Sequence, residues 1–320
     1  MNFEDLMLDK VIKSDHLLYK IKQVINLKSM VYRIKEVKTT EVGRKGFGLE
    51  VALGCIFLQF LYDLSDRELE ERLRYDMAMR WFLGLGVTEE TPDHTFACRS
   101  RKAIGTKKIG QIFNHINKKC EEAGIIRNVF HFADATSIIS KETTWKERDK
   151  AIAAGENTFN NTNASKYGAD KDARFGCKGK EKFWYGHKKT ICADMGSGLI
   201  TKTAVTSADI PDQDAFCHVC PKEGMVFADK AYCLKAARIE MLANGCHSGA
   251  ILKNNMIGKN KDKDRWISSV RAPFEGIFSK QEKRARYRGT AKVQLQAFMD
   301  SIVHNLKRLV VINQPNFCIS

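Results

Sequence analysis

The stretch VFHFADATSII, residues 129–139, decides the fold class. Its apolar residues suit a buried strand, yet an acid, Asp134, stands within it and small polar residues follow. The same Phe-Ala-Asp recurs in GMVFADKAY, residues 224–232, with Asp229 in the matching place. A strand that ends in an acid places a carboxylate at the rim of a sheet, where ligands can enter. We therefore predict two neighbouring strands that bring Asp134 and Asp229 side by side.

The order of elements around these two stretches predicts an α/β domain over residues 126–320. Three strand patterns come first, at residues 129–139, 183–195 and 199–208, and they favour an antiparallel meander. A helix opening at Pro211, the strand with Asp229, a helix closed by Gly245 and a strand GAILKN follow. Two long helices complete the chain, residues 264–283 and 291–312. Between the first two strands, residues 141–180 predict a loop-rich insertion with a short helix at 145–153.

Residues 1–125 predict a separate, all-helical domain. A buried helix runs from Leu49 to about Asp63, and Ser65 with Glu68 forms a capping box for the next helix. Thr91 as cap and Pro92 as first helical residue predict the start of a further helix. That helix carries three cations: Arg99, Arg101 and Lys102. Short helices with basic faces are typical both of a helix-turn-helix DNA reader and of a plain helical bundle.

The balance of charge favours a polyanionic partner. The 320 residues include 53 Lys and Arg against 38 Asp and Glu, a net charge of +15. The longest apolar run, residues 51–62, is too short to span a bilayer, and no secretory leader pattern opens the chain. The cations are spread over several segments, which favours nucleic acid over a membrane surface. We expect a cytoplasmic, nucleoid-associated protein without a membrane partner.

The cysteines predict reduced thiols. Ten are scattered along the chain, and only Cys217 and Cys220, in CHVC, have metal-like or redox spacing. A structural zinc site needs a second ligand pair, and Cys246 with His247 has unsuitable spacing for one. We therefore expect no structural zinc.

Two bare carboxylates at close range repel each other, and a divalent cation removes that penalty. Glu275, in VRAPFEGIF, is the best candidate for a third acid. Arg271 and Glu275 are four residues apart on one face of a predicted helix, so they could pair with each other. A buried stripe is predicted on the neighbouring face of that helix, at Trp266, Val270, Phe274, Ile277 and Phe278. Simpler interpretations stay open. Either aspartate alone suits a turn or helix cap, and the Arg–Glu pair suits a solvated ion pair.

The chain resembles the DDE transposases of bacterial insertion sequences, in the large group numbered four and five. The resemblance spans roughly residues 45–312 and rests on motifs in matching order. LSDRELEERLRYDMAMRWFLGL and PDHTFACRSRKAIG resemble the group's N-terminal helical domain. FADATSI, DARFGCKGKEKFWYGHKK, VFADKAY and the region VRAPFEGIFSK to RARYRGTAKVQLQAFMDSIVHNLKRL resemble its catalytic segments.

The resemblance implies a ribonuclease-H-like mixed five-stranded sheet flanked by helices, with Asp134, Asp229 and Glu275 as catalytic metal ligands. It implies two Mg²⁺ or Mn²⁺ ions, cleavage of double-stranded DNA at the element's terminal inverted repeats, and joining of the 3′ ends to target DNA. Two transposon ends must be held together, so a homo-oligomer, at least a dimer, is expected. DNA contacts are expected at Arg271, Lys280, Lys283, Arg284, Arg286 and Arg288, besides the helical cations named above.

Two positions depart from the family's pattern. Ser268 stands where the family usually has Tyr, and Glu282 where it usually has Lys. Helical spacing puts Glu282 on the face of Glu275, where it would bring a negative charge towards DNA phosphates. Two alternatives therefore stay open: a catalytically impaired DNA-binding protein or repressor derived from a transposase, and a ribonuclease-H-like nuclease that cuts without joining.

Overall fold

A computed structural model describes residues 10–32, 34, 46–142, 144–179, 181–279, 281–312 and 317–319. The chain divides into two compact units. The first comprises Met1–Lys119 and Met299–Ser320, and the second comprises Cys120–Phe298. The predicted domain boundary after residue 125 stays a prediction.

The first unit is built from helices. Their bounds are α1, Leu17–Val24; α2, Leu27–Tyr32; α3, Leu49–Leu61; α4, Asp66–Tyr75; α5, Met77–Leu83; and α6, His94–Glu122, whose last residues fall in the second unit. Every residue of α3 from Ala52 to Leu61 is buried, so the predicted buried helix is confirmed.

Helix starts in this unit follow side-chain caps. Ser65 Oγ accepts from Glu68 N at 3.2 Å and Glu68 Oε2 accepts from Ser65 N at 2.8 Å, so the predicted capping box is confirmed. The predicted start at Thr91 and Pro92 is wrong, because α6 begins at His94. Asp93 Oδ1 accepts from Phe96 N at 2.7 Å, and this carboxylate satisfies a free amide of the first turn.

The second unit contains a mixed sheet with six strands in its described part. They are β1, Phe130–Ile139; β2, Arg174–Lys178; β3, Lys182–Asp194; β4, Ile200–Ser207; β5, Met225–Ala228; and β6, His247–Ala250. The order is β2-β3-β1-β5-β6, with β4 also paired to β3.

The strand directions confirm the predicted ribonuclease-H-like arrangement. β1, β3 and β4 form the antiparallel meander, and β5 and β6 run parallel to β1. β2 adds a strand to the predicted five. It pairs with the first part of β3 in a hairpin, where Gly179 adopts a φ of +70° that L side chains rarely take.

Helices cover both faces of this sheet. They are α7, Trp145–Ala153; α8, Ala164–Tyr167; α9, Asp212–Ala215; α10, Lys235–Ala243; α11, Lys261–Ser279; and α12, Thr290–Ile312, which ends in the first unit. The short helix predicted at residues 145–153 is confirmed as α7.

The side chains of β1 and β5 alternate between two hydrophobic cores, one on each face of the sheet. Ala133 and Ala228 pack into one, with Phe216, Tyr232 and Met241 of α10. On the opposite face Phe227 packs with Ile267 of α11, and Ile138 packs with Val293 and Ala297 of α12. The two faces of these strands are therefore both buried, as in sheets with helices on either side.

No helix in the described part of the chain is long and apolar enough to cross a membrane. All ten cysteines are free.

Candidate active site

The pairing of β1 with β5 brings Asp134 next to Asp229. Phe130 pairs with Met225 and Phe132 with Phe227 in parallel register. The same register carried two residues further places Asp134 beside Asp229. Neighbouring strands lie about 4.8 Å apart, so the two acids are close neighbours.

The sheet rim at Asp134 arises differently from the prediction. We expected a strand that ends in the acid, but β1 continues to Ile139 and remains paired with β3 there. It is β5 that ends, at Ala228. Asp134 therefore lies within a continuous strand, which holds it rigidly. The neighbouring strand β5 ends beside it, which leaves the carboxylate accessible to ligands.

Helix α11 covers the face of the sheet that carries Asp134. Phe132 and Asp134 point to the same face because they are two residues apart. Phe274 stacks on Phe132 with ring centroids 5.9 Å apart, and the Arg271 guanidinium lies 5.6 Å from the Phe132 centroid. Trp266 packs edge-on against Phe227 at 5.8 Å, two residues before Asp229. Phe132, Phe227 and Asp134 are therefore turned towards α11.

The surroundings of Asp134 destabilise its ionised form. Burial, and to a smaller extent the charge of Asp229, raise the pKa of Asp134 from 3.8 to about 6. A hydrogen bond from Ala135 N at 2.8 Å and the charges of Arg271 and Lys178 oppose this rise. The charge of Asp134 is therefore not fully compensated by the chain itself.

Asp229 is held at the end of β5 by the turn that follows it. Its Oδ1 accepts from Ala231 N at 2.8 Å, and its carbonyl oxygen accepts from Tyr232 N at 3.2 Å. The carboxylate thereby keeps a fixed direction although the strand has ended.

Arg271 faces Asp134, where the sequence predicted a pair with Glu275 on an outer face. Its side chain is 7% exposed and its Nη2 lies 3.9 Å from Asp134 Oδ2. Its Nε is buried without a hydrogen-bond partner among the described residues. The interpretation of Arg271 as part of a solvated ion pair is therefore wrong.

Glu275 lies on α11 one turn after Arg271 and directly after Phe274, and it is exposed. The stripe predicted for this helix is only partly right. Ile277 and Phe278 are buried, but Trp266 is 55% exposed and the buried residue at that level is Ile267. The face of α11 is rotated relative to the prediction, because Arg271 turns inward together with Ile267.

The structure brings Asp134 and Asp229 together but does not gather Glu275 with them into a ligand cluster. No group of three or more His, Cys, Asp or Glu residues suited to a metal ion occurs in the described ranges. The paired carboxylates nevertheless fit a divalent cation, because oxygen ligands and uncompensated negative charge are what Mg²⁺ requires. The described Cys217 and Cys220 likewise belong to no such group.

Residues 283–288 form a cationic segment, here called the basic loop, beside the end of β1. Ile139 N donates to Lys283 O and Ala285 N donates to Ile139 O, both at 2.8 Å. The buried Gln296 accepts from Arg286 N at 2.8 Å and donates to Arg284 O at 2.9 Å. The loop is thus fixed to the strand that carries Asp134.

The cations of the basic loop differ in exposure. Lys283 and Arg284 are exposed, Arg286 is half-buried, and Arg288 pairs with Glu142 at 2.6 Å. Lys280, predicted as a DNA contact, lies outside the described residues.

The two departures from the family pattern have local roles. α11 ends at Ser279, so Glu282 is not on a helical face with Glu275, and that prediction is wrong. Glu282 Oε1 instead accepts from Arg284 N at 2.9 Å, which stabilises the entry to the basic loop. Ser268 is exposed, and its hydroxyl donates to Asp264 O at 2.9 Å within the helix.

The predicted DNA contacts of the helical unit also differ in exposure. Arg99 is 73% exposed, and Lys102 is exposed as well. Arg101 is 12% exposed and makes a bidentate pair with Asp66, at 2.6 and 2.7 Å, and a hydrogen bond to Gln59. Its guanidinium is occupied within the unit.

Two residues near the acids were missed by the sequence reasoning. Lys178, at the end of β2, lowers the pKa of Asp134, and it lies in the unpredicted hairpin. Tyr232 lies three residues after Asp229, and the sequence could have predicted its position from the turn expected after the strand. Its hydroxyl is buried near the carboxylates, whose charges contribute to raising its pKa after burial itself.

Comparison with known families matches two regions of the chain. Residues 133–306 match the family described as Transposase DDE domain, and residues 6–103 match the family described as Transposase domain (DUF772). The first match covers more than half of the chain, so the chain belongs to the Transposase DDE domain family. The cryo-EM structure of the piggyBac transposase synaptic complex with hairpin DNA is similar at 8% identity and a TM-score of 0.40, over 98% of this chain and 77% of that chain.

Proposed function

We propose that this chain is a DNA transposase that cleaves double-stranded DNA at the terminal inverted repeats of its element and joins the 3′ ends to target DNA. The observation that carries the proposal is the neighbouring position of Asp134 on β1 and Asp229 directly after the parallel β5, with the buried Arg271 beside Asp134. Membership of the transposase family supports phosphoryl transfer as the reaction.

Asp134, Asp229 and Glu275 are the proposed ligands of two Mg²⁺ or Mn²⁺ ions. When bound, such ions make a water or 3′-hydroxyl more nucleophilic and stabilise the leaving oxygen. In this proposal β1 and the turn after β5 hold the two aspartates, and Glu275 of α11 supplies the third carboxylate. Its exposure allows the side chain to turn towards substrate-bound ions.

Arg271 is proposed to face the scissile phosphate. Its guanidinium is held by the Phe132 ring and lies 3.9 Å from Asp134 Oδ2, with Nε lacking a partner among the described residues. A planar guanidinium with a free donor suits a phosphate oxygen.

The proposed DNA track uses the basic loop, with Lys283, Arg284, Arg286 and Arg288, and extends to Lys280. Arg99 and Lys102 are proposed as contacts of the helical domain, residues 1–125. We leave Arg101 out, because its guanidinium is paired with Asp66. A homo-oligomer is proposed because two DNA ends must be joined together.

A cleavage and strand-transfer assay with Mg²⁺ and DNA bearing the element's own ends tests the proposal. We expect cleavage and joining by the unaltered chain. Asp134→Ala, Asp229→Ala and Glu275→Ala should each lower the cleavage rate by about a thousandfold or more and leave DNA affinity nearly unchanged.

The result also separates the alternatives. Cleavage without joining would indicate a nuclease. Tight, salt-sensitive DNA binding without cleavage would indicate a binding protein or repressor. A near-normal rate in one of the three variants would remove that residue from the proposed ligand set.

A further inference from the structure

Arg288, at the end of the basic loop, is held by a carboxylate of the same chain. Its Nη2 and Nε donate to Glu142 Oε1 at 2.6 and 3.1 Å. Glu142 comes shortly after the end of β1, where Ser140 N donates to Tyr185 O at 2.8 Å and fixes the chain. The ion pair therefore connects the basic loop with the segment that follows the strand of Asp134.

Other contacts fix the basic loop on both sides of Arg288. Backbone hydrogen bonds tie its first half to the end of β1. Beyond Arg288, Thr290 N donates to Asp172 Oδ2 at 2.9 Å, and this carboxylate satisfies a free amide in the first turn of α12. The Asp172 amide in turn donates to Oδ1 of the buried Asp170 at 3.1 Å. The loop thus has anchors that do not involve the ion pair.

The exposure of the ion pair limits its contribution to stability. The side chains of Arg288 and Glu142 are 53% and 32% exposed. Water and salt screen an ion pair at this exposure, so it adds little to the free energy of unfolding. The contact is therefore weak enough for another anion to replace the carboxylate.

A DNA phosphate competes with Glu142 for the same donors. A guanidinium binds carboxylate and phosphate oxygens through the same fork of N–H groups, and two of the Arg288 nitrogens are engaged with Glu142. Lys283 and Arg284 of the same loop differ in this respect. They are exposed, and neither forms an ion pair with another described residue.

We propose that the pair of Glu142 and Arg288 is an autoinhibitory contact: Glu142 neutralises Arg288 in the DNA-free chain, and a phosphate of bound DNA displaces it. This inference rests on the proposed DNA track and not on the proposed chemistry. The DNA-free chain presents one cation fewer to polyanions. Arg288 joins the track only when a phosphate comes close enough to replace the carboxylate.

Glu142→Gln tests the proposal, because it removes the competing charge and keeps the size of the side chain. The probe is a linear duplex bearing the element's own ends, titrated into the full chain with a chelator present so that cleavage does not contribute. We expect affinity at low salt to rise about two- to fivefold, which corresponds to one exposed ion pair. The dependence of affinity on salt should become steeper, because Arg288 no longer leaves a partner in the chain when it binds a phosphate.

Arg288→Gln separates this mechanism from a general effect of charge. In the Arg288→Gln background, Glu142→Gln should change DNA affinity no more than Glu282→Gln does. Glu282→Gln is the matched control, because it removes one negative charge beside the same loop. Its carboxylate accepts from the Arg284 amide and releases no cationic side chain when it is replaced. The effect of Glu282→Gln should be the same with and without Arg288.

An equal gain from Glu142→Gln with and without Arg288 would overturn the autoinhibitory contact, because it would be a general effect of charge. A loss of affinity in Glu142→Gln would also overturn it, since the carboxylate would then orient Arg288 for DNA. Absence of DNA binding by the unaltered chain and by every variant would instead overturn the proposed function, and this inference with it.

Discussion

Asp134→Asn should stabilise the metal-free chain at neutral pH while abolishing cleavage. Burial and the charge of Asp229 raise the pKa of Asp134 from 3.8 to about 6. An acid with a raised folded-state pKa contributes stability that is fully present below the unfolded pKa. That contribution is lost as the pH rises through the folded pKa. At neutral pH the ionised carboxylate therefore weakens the fold.

The size of the effect follows from the shift. A rise from 3.8 to about 6, at about 1.4 kcal/mol per pKa unit, corresponds to roughly 3 kcal/mol. The side chain is 24% exposed, so solvent reduces this figure. The amide also loses its attraction to Arg271. We expect Asp134→Asn to raise the free energy of unfolding by about 1–3 kcal/mol above pH 7.

Denaturant unfolding in the presence of a chelator, at several pH values between about 4 and 8, measures this difference. The gain of Asp134→Asn over the unaltered chain should grow across that range. Asp170→Asn is the control of opposite sign. Burial raises the pKa of Asp170, but the hydrogen bond from His187 Nε2, at 3.0 Å, together with hydrogen bonds from the Gly289 and Asp172 amides and the charge of His187, outweighs it, and the net shift is downward. That variant should be destabilised at neutral pH.

A different outcome would contradict the electrostatic argument. If Asp134→Asn were less stable than the unaltered chain at neutral pH, or if its gain were independent of pH, Asp134 would not be the strained acid that its burial implies.

Five further substitutions test the fold and the DNA track. Ser65→Ala removes the hydroxyl that accepts from Glu68 N, so it should cost about 1 kcal/mol in denaturant unfolding. Thr91→Ala should cost less than about 0.5 kcal/mol, because α6 is capped by Asp93. Gly186→Ala would place a Cβ 2.2 Å from Ile138 O, so melting should show a loss above about 2 kcal/mol. Arg101→Lys breaks the bidentate pair with Asp66 and should lower stability without changing the salt dependence of DNA binding. Lys102→Ala should instead reduce that salt slope by about one; unchanged slopes in both would remove this helix from the track.

The strands of the second unit were predictable because their patterns are local. β1, β3 and β4 are long runs bounded by turn residues, and α7 has its predicted bounds. β2 was not predictable in the same way. It is short, its residues lie in a segment rich in Gly and Lys, and it becomes a strand by pairing with β3.

The acid pair was predictable from the repeated tripeptide, but the surroundings of Arg271 were not. Helical spacing relates Arg271 to Glu275 on the same helix. It does not say which face of α11 rests on the sheet, and the packing of Phe274 on Phe132 decides that. The role of Glu282 was not predictable from helical spacing either, because it depends on where α11 ends.

The two Phe-Ala-Asp segments are one solution to one physical problem, used on two strands. Each segment places a carboxylate directly after a buried run, and the residues before the carboxylate anchor its strand on both faces. Phe132 and Phe227 do so under α11, through Phe274 and Trp266. Ala133 and Ala228 do so on the other face, where their small side chains leave space for the Tyr232 core. Asp134 and Asp229 then stand where β5 stops. Packing on both faces keeps the strands in place despite the cost of the acids. The acids are accessible because β5 ends beside them.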